Sequence, residues 1–147
     1  MKKPTLGRAE LKLLSWVAQE APVSVAEAAE RYGQANGLAR TTLLTVLERL
    51  RQKGYLTRSK QDGVFRYRPS EPHARQLRGI VGNFMEQALG GSLEPLVAYL
   101  TEEASVTPAQ LEQLRRMVRD LEAREEMQNM EQSDEATGAP KNKRKSR

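Results

Sequence analysis

Residues 38 to 69, LARTTLLTVLERLRQKGYLTRSKQDGVFRYRP, run a short amphipathic helix straight into a basic hairpin, an order that few small folds accept. Leu43, Val46, Leu47 and Leu50 recur at i, i+3, i+4 and i+7, so one stripe of the helix must face a core. At about 100° per residue, Thr41, Leu44, Thr45, Glu48 and Gln52 point away from that stripe, with Arg40, Thr42, Arg49 and Arg51 on its flanks. Threonine brings a hydroxyl for base edges or phosphate and a methyl for thymine, and its short reach lets a helix approach the bases closely. Glu48 would repel phosphate and is left out of the expected contacts. Gly54 suits the left-handed end of a helix, and Lys53 complements the helix dipole. Tyr55 to Lys60 and Val64 to Arg68 are β-prone runs around Gln61-Asp62-Gly63, a connection of hairpin length. Alternation puts Phe65 and Tyr67 on one face and Arg66 and Arg68 on the other, with Arg58 and Lys60 as two more cations. Alone, such a hairpin reads as a solvated edge protected by charge. Behind a hydroxyl-lined helix, it reads as a wing that grips a phosphate backbone.

The preceding residues supply the rest of a three-helix body. Leu6, Leu13, Leu14 and Val17, widened by Leu11 and Trp16, give a first helix that Pro22 terminates. Ser24-Val25-Ala26-Glu27 is a capping box, in which the serine hydroxyl accepts from the N–H at position 27 and the glutamate reaches back. A second helix is expected to run from there to Tyr32, with Gly33 to Gly37 as the link to the third. Trp16 and Tyr32 are expected as core anchors. The order is helix-turn-helix followed by a wing.

Charge separates the chain into regions. Residues 1 to 70 hold 13 Lys and Arg against 6 Asp and Glu, residues 71 to 140 hold 6 against 13, and the last seven add five cations. A basic first part attracts a polyanion, and an acidic second part cannot be another surface of the same kind. That second part reads as three helices. The first is marked by Leu77, Ile80, Val81, Phe84, Ala88 and Leu89 before Gly90-Gly91, and the second by Leu93, Leu96, Val97 and Leu100. The third opens at Thr107-Pro108, with Gln110 completing a capping box, and carries Leu111, Leu114, Val118 and Leu121. About sixty residues in three helices enclose little core alone, so a partner chain is expected on Leu77, Val81, Phe84, Leu96, Leu100, Leu111, Leu114, Val118 and Leu121. The expected fold is mainly α with a small β-hairpin wing: a winged helix-turn-helix DNA-binding domain at 1–70, a helical dimerisation domain at 73–131, and a disordered basic tail at 132–147 ending KNKRKSR.

Five segments, in order, resemble one family. They are LGRAEL at Leu6 to Leu11, VSVAEA at Val23 to Ala28, TTLLTVLERL at Thr41 to Leu50, GYLTR from Gly54, and FRYRP from Phe65. From Leu6 to Pro69 the chain resembles the penicillinase-repressor (BlaI/MecI/CopY) family of winged-helix transcriptional regulators, and more weakly beyond. The resemblance implies a homodimeric repressor on a palindromic operator, released by proteolysis by a membrane-bound sensor protease under a stress such as β-lactams. The best-known members are cut at an asparagine-phenylalanine pair, and the aligned pair here is Tyr99-Leu100. The copper-responsive branch carries clustered C-terminal cysteines. This chain has no Cys and a single His, His73, so neither a metal site nor any other cofactor is expected.

The expected contacts are Arg40, Thr41, Thr42, Leu44 and Thr45 in the major groove of a duplex, and Arg58, Lys60, Arg66 and Arg68 on its backbone. An enzyme is not expected: there is no Cys nucleophile, no H-E-x-x-H and no phosphate-binding glycine loop. The opening MKKPTLGRAELKLL lacks a continuous apolar core and no run approaches a membrane span, so a cytoplasmic protein is expected. Two alternatives stay open. One is a winged-helix protein-interaction module whose basic hairpin grips an acidic partner, and the other is a regulator released from DNA by a small ligand.

Overall fold

Helix α1 (Arg8–Glu20) opens where the Gly7 N–H donates to Oε1 of Glu10 at 3.2 Å, and it buries Leu13, Leu14 and Val17. The computed structural model describes residues 3–138. After α1, the two-residue strand β1 (Val23–Ser24) leads into the expected capping box: the Glu27 N–H donates to Ser24 Oγ at 3.1 Å, and the Ser24 N–H to Glu27 Oε2 at 3.4 Å. Helix α2 (residues 25–36) is α-helical over Val25–Ala28, π-helical over Ala29–Gly33 and α-helical again over Gln34–Asn36.

The expected link from Gly33 to Gly37 is therefore corrected, because the helix runs through Gly33 and only residues 37–39 connect it to α3 (Arg40–Gln52). Packing explains the glycine. A Cβ at position 33 would stand 2.8 Å from both the Leu38 carbonyl oxygen and Cδ1 of Leu43. Gly33 thus lets the start of α3 lie against α2, and the turn is made by Gly37 at φ +66°.

Leu43, Leu47 and Leu50 of α3 are fully buried, and the helix ends at Gly54, whose φ is +88°. Lys53 does more than face the helix dipole. Its Nζ lies 2.9 Å from Oε2 of Glu10 and donates to the Thr5 carbonyl at 2.9 Å, fastening the end of α3 to the start of α1. Strands β2 (Leu56–Gln61) and β3 (Val64–Pro69) then pair antiparallel around Asp62 and Gly63. Positive φ at both residues, 51° and 78°, gives the two-residue turn whose twist matches that of the strands. β1 adds to the other edge of β3, pairing Val23 with Tyr67 and Ser24 with Arg66, so the sheet order is β1-β3-β2.

Leu13, Leu14, Val17, Val23, Ala28, Leu43, Leu47, Leu50, Leu56 and Tyr67 form one core. Each large aliphatic side chain there contributes about 1.5–3 kcal/mol. Tyr32 is buried, and the half-buried Trp16 packs on it with ring centroids 5.4 Å apart. Helix α4 (His73–Leu89) is fixed to this body by Gln76, a buried amide that donates to the Tyr55 carbonyl at 2.7 Å, and by Ile80. Leu77, Val81 and Phe84 on the same helix are exposed.

The chain divides into two compact units, one up to Leu93 and one from Glu94 onward. The second unit holds α5 (Glu94–Glu102) and α6 (Pro108–Thr137). Thr107 and Gln110 cap α6 reciprocally, at 3.2 Å and 3.0 Å. None of the described residues of this unit is buried; Leu100 and Leu114 are half-buried, and Leu96, Leu111, Val118 and Leu121 are exposed. The tail expected from residue 132 begins inside α6, which stays helical through Thr137, and residues 139–147 lie outside the described residues.

Candidate nucleic-acid interface

The three buried leucines of α3 turn its other side outward, so Arg40, Thr41, Thr42, Leu44 and Thr45 are all exposed at and near the helix N-terminus. Thr45 Oγ1 donates to the Thr41 carbonyl at 3.0 Å, which leaves its oxygen free as an acceptor on an exposed side chain. Leu44, 43% exposed, adds an apolar surface of the kind that suits a thymine methyl.

The wing cations form two sets. Pairing of Arg58 with Tyr67 and of Lys60 with Phe65 puts these four residues on the sheet face that also carries Leu56, while Arg66 and Arg68 share the opposite face with Ser59 and Thr57. Phe65 and Tyr67 follow the expected alternation but differ in burial. Tyr67 lies over the core, whereas Phe65 stands beyond its edge with the Arg58 guanidinium 4.2 Å and the Lys60 ammonium 5.6 Å from its ring centre. Such stacking holds both cations near the wing tip.

Two carboxylates outside the expected set organise this surface. Arg66 donates to Glu27 Oε1 at 2.7 Å, tying β3 to the cap of α2 and holding the Glu27 carboxyl below its ordinary pKa. Glu48 accepts from Arg51 Nη2 at 2.7 Å, from Arg51 Nε at 3.0 Å, from Arg58 Nη1 at 2.8 Å and from the Tyr67 hydroxyl at 2.6 Å. Hydrogen bonds from Arg51 foremost, then from Tyr67, and the charges of Arg51 and Arg58 outweigh burial and hold its carboxyl at about 2. The i, i+3 spacing of Glu48 and Arg51 was a visible signal; the wing partners, 10 and 19 residues away, were not. Among the described residues, Arg40, Lys60 and Arg68 make no ion pair.

A groove of about 400 Å³ lies elsewhere on the first unit, lined by Leu6, Leu11, Tyr55, Ile80, Phe84 and Ala88 among others. Polar groups at its rim are already paired: Thr5 Oγ1 donates to Gln87, Asn83 to the Lys3 carbonyl, and the Tyr55 hydroxyl to the Pro4 carbonyl. Among the described residues there is no cluster of His, Asp or Glu suited to a metal ion, and no helix long and apolar enough to cross a membrane.

The sequence profile described as Penicillinase repressor matches residues 6–120. No curated protein matches the chain. Among solved structures it is similar to the monomeric form of Bacillus licheniformis BlaI in complex with the blaP half-operator, at 28% identity over 48% of this chain and 85% of that one, with a TM-score of 0.41. It is also similar to a probable transcriptional regulator from Pseudomonas aeruginosa (19% identity, 79% of this chain, 78% of that one, TM-score 0.41). A third is the transcriptional regulator BldR from Sulfolobus solfataricus (18% identity, 78% and 75%, TM-score 0.40). With a profile match across most of its length and a winged-helix body in the matched region, the chain belongs to the penicillinase repressor family of DNA-binding transcriptional regulators.

Proposed function

We propose that this regulator is a sequence-specific repressor that binds a palindromic operator as a homodimer. The observation that carries the reading is the outward face of α3, where Arg40, Thr41, Thr42, Leu44 and Thr45 are exposed together at the helix N-terminal end. These residues read base edges in the major groove and Lys60 and Arg68 neutralise phosphates beside it, while Glu48 and Glu27 fix where Arg58 and Arg66 stand in the wing. Residues 1–70 are the reader. The helices beyond, residues 73–131, join two chains through apolar side chains that one chain leaves uncovered, so two readers span two half-sites.

Release by proteolysis belongs to the same reading. Tyr99 is exposed on α5, and a cut at Tyr99-Leu100 by a membrane-bound sensor protease would part α6 from the reader. Each half-site would then be bound independently, without the gain in effective concentration that linkage gives.

Selection of fragments from a genomic library by the purified full-length protein, with salt titration, tests the proposal. A recovered palindrome with half-sites about one helical turn apart supports it. Binding without a motif that fades uniformly with salt would reduce the surface to an electrostatic patch and favour the interaction module. For release, mass spectrometry of the protein from β-lactam-treated cells should find a fragment ending at Tyr99, and an intact chain on an emptied operator would exclude proteolysis.

A further inference from the structure

Glu48 stands on the reading face of α3, one turn beyond Thr45, where an anion should oppose DNA. Its surroundings give it a different task. Arg58 and Tyr67 are cross-strand partners, so one carboxylate on α3 takes hold of both strands of the wing at a single rung. Tyr67 is buried in the core, and the next rung on this face, Lys60 with Phe65, is exposed. Glu48 is thus a fastening between helix and wing at the edge of the core. From it the contacts continue outward, because the Arg58 guanidinium that donates to Glu48 also lies over the Phe65 ring, which Lys60 shares.

The same contacts occupy cations. Arg51 meets Glu48 with two nitrogens and Arg58 with one, so both guanidiniums have a carboxylate where a phosphate would otherwise be taken. A loosely held arginine on this surface would add affinity for every DNA sequence equally, because phosphate contacts carry no sequence information.

We propose that Glu48 is a positioning residue that sets sequence discrimination, by fixing the wing on the recognition helix and withholding Arg51 and Arg58 from phosphate. The proposal rests on the operator-binding reading above. Arg58 is then a strut of the wing rather than a phosphate ligand.

The test compares wild type, Glu48→Gln, Arg58→Gln and the double variant as full-length proteins, on the selected operator and on random duplex of equal length, across a salt series. Thermal unfolding of each variant is the control for folding. Glu48→Gln is expected to tighten random binding, to steepen its salt slope by roughly one phosphate contact, and to lower the operator-to-random ratio about tenfold, the size of one lost base contact. Arg58→Gln should lower that ratio similarly while leaving the random-DNA slope unchanged, and the double variant should discriminate no worse than Glu48→Gln alone. Equal gains on both duplexes for Glu48→Gln would mean that it merely repels DNA, and would overturn the proposal. So would a slope shallower by about 0.9 for Arg58→Gln, the mark of a real phosphate ligand; this readout stands even if Glu48→Gln does not fold. A wild-type protein that prefers no operator would instead defeat the operator-binding reading itself, and the Arg58→Gln slope on random DNA is read independently of it.

Discussion

A methyl group at Gly33 would sit 2.8 Å from a backbone oxygen, that of Leu38, as well as from the movable Cδ1 of Leu43. The leucine can turn aside; the carbonyl cannot without moving the start of α3. Gly33→Ala should therefore lose about 1–3 kcal/mol in urea unfolding, despite the roughly 1 kcal/mol that alanine favours in a helix. A gain of about 1 kcal/mol, the helix preference of alanine alone, would mean that the approach of Leu38 does not require a glycine there. Its role was hidden because glycine before a link and glycine at a helix crossing look alike in a sequence. Glu48 makes the stability depend on pH. Its folded carboxyl titrates at about 2, below the ordinary 4.5, so its stabilisation is fully present above pH 4.5 and disappears as pH falls toward 2. A shift of that size corresponds to about 3 kcal/mol, which partial exposure reduces to roughly 1–2 kcal/mol. Wild type should lose more stability than Glu48→Gln between pH 5 and about 2.5, and parallel losses in the two proteins would remove the carboxylate from the account.

At the scale of the element, α3 and the wing show which signals a sequence carries. The helical stripe was legible because Leu43, Leu47 and Leu50 repeat with the helix period, and they are all buried. The outward face follows by subtraction. Replacing Thr45 with tryptophan should abolish operator preference and leave the unfolding midpoint unchanged; equal effects on operator and random binding would sink the recognition-helix assignment. Strand alternation was legible as well, yet it could not say that Tyr67 is core while Phe65 is wing tip, because that depends on where the core ends. Nor could it separate the cations by partner. Arg66 is paired with Glu27, whereas Arg68 makes no ion pair among the described residues, so the two should differ as variants. Arg68→Ala should weaken all sequences and reduce the salt slope by about 0.9. Arg66→Ala should change the slope less and cost under about 1 kcal/mol of stability, the worth of a partly exposed pair. The same slope change from both would show that Glu27 releases Arg66 on DNA.

Over the whole molecule, apolar surface and charge make opposing demands on the second unit. Its described residues include none that is buried, and α6 is 30 residues long, about 45 Å of helix. In proteins most of a helix's stability comes from packing an amphipathic face and not from propensity. Leu111 and Val118 are 44% and 49% exposed, so one chain leaves unused the apolar face that would supply it. On the dimeric reading, Leu111→Asp with Val118→Asp should give a monomer in sedimentation, with operator affinity down by a factor on the order of 10² or more and half-site affinity unchanged. A variant that stays dimeric would move the interface to Leu77, Val81 and Phe84 on α4. Charge adds a test that needs no mutation. Residues 94–138, the described part of the second unit, carry 4 cations against 11 anions, so these parts of two copies repel as they meet, whereas residues 1–70 carry 13 against 6 and attract DNA. Salt screens both effects within about 10 Å. Raising salt should therefore tighten the dimer, measured by sedimentation equilibrium, while loosening its hold on DNA. Dimerisation that weakens with salt would mean that ion pairs between copies hold the interface, and that its exposed leucines and valines do not.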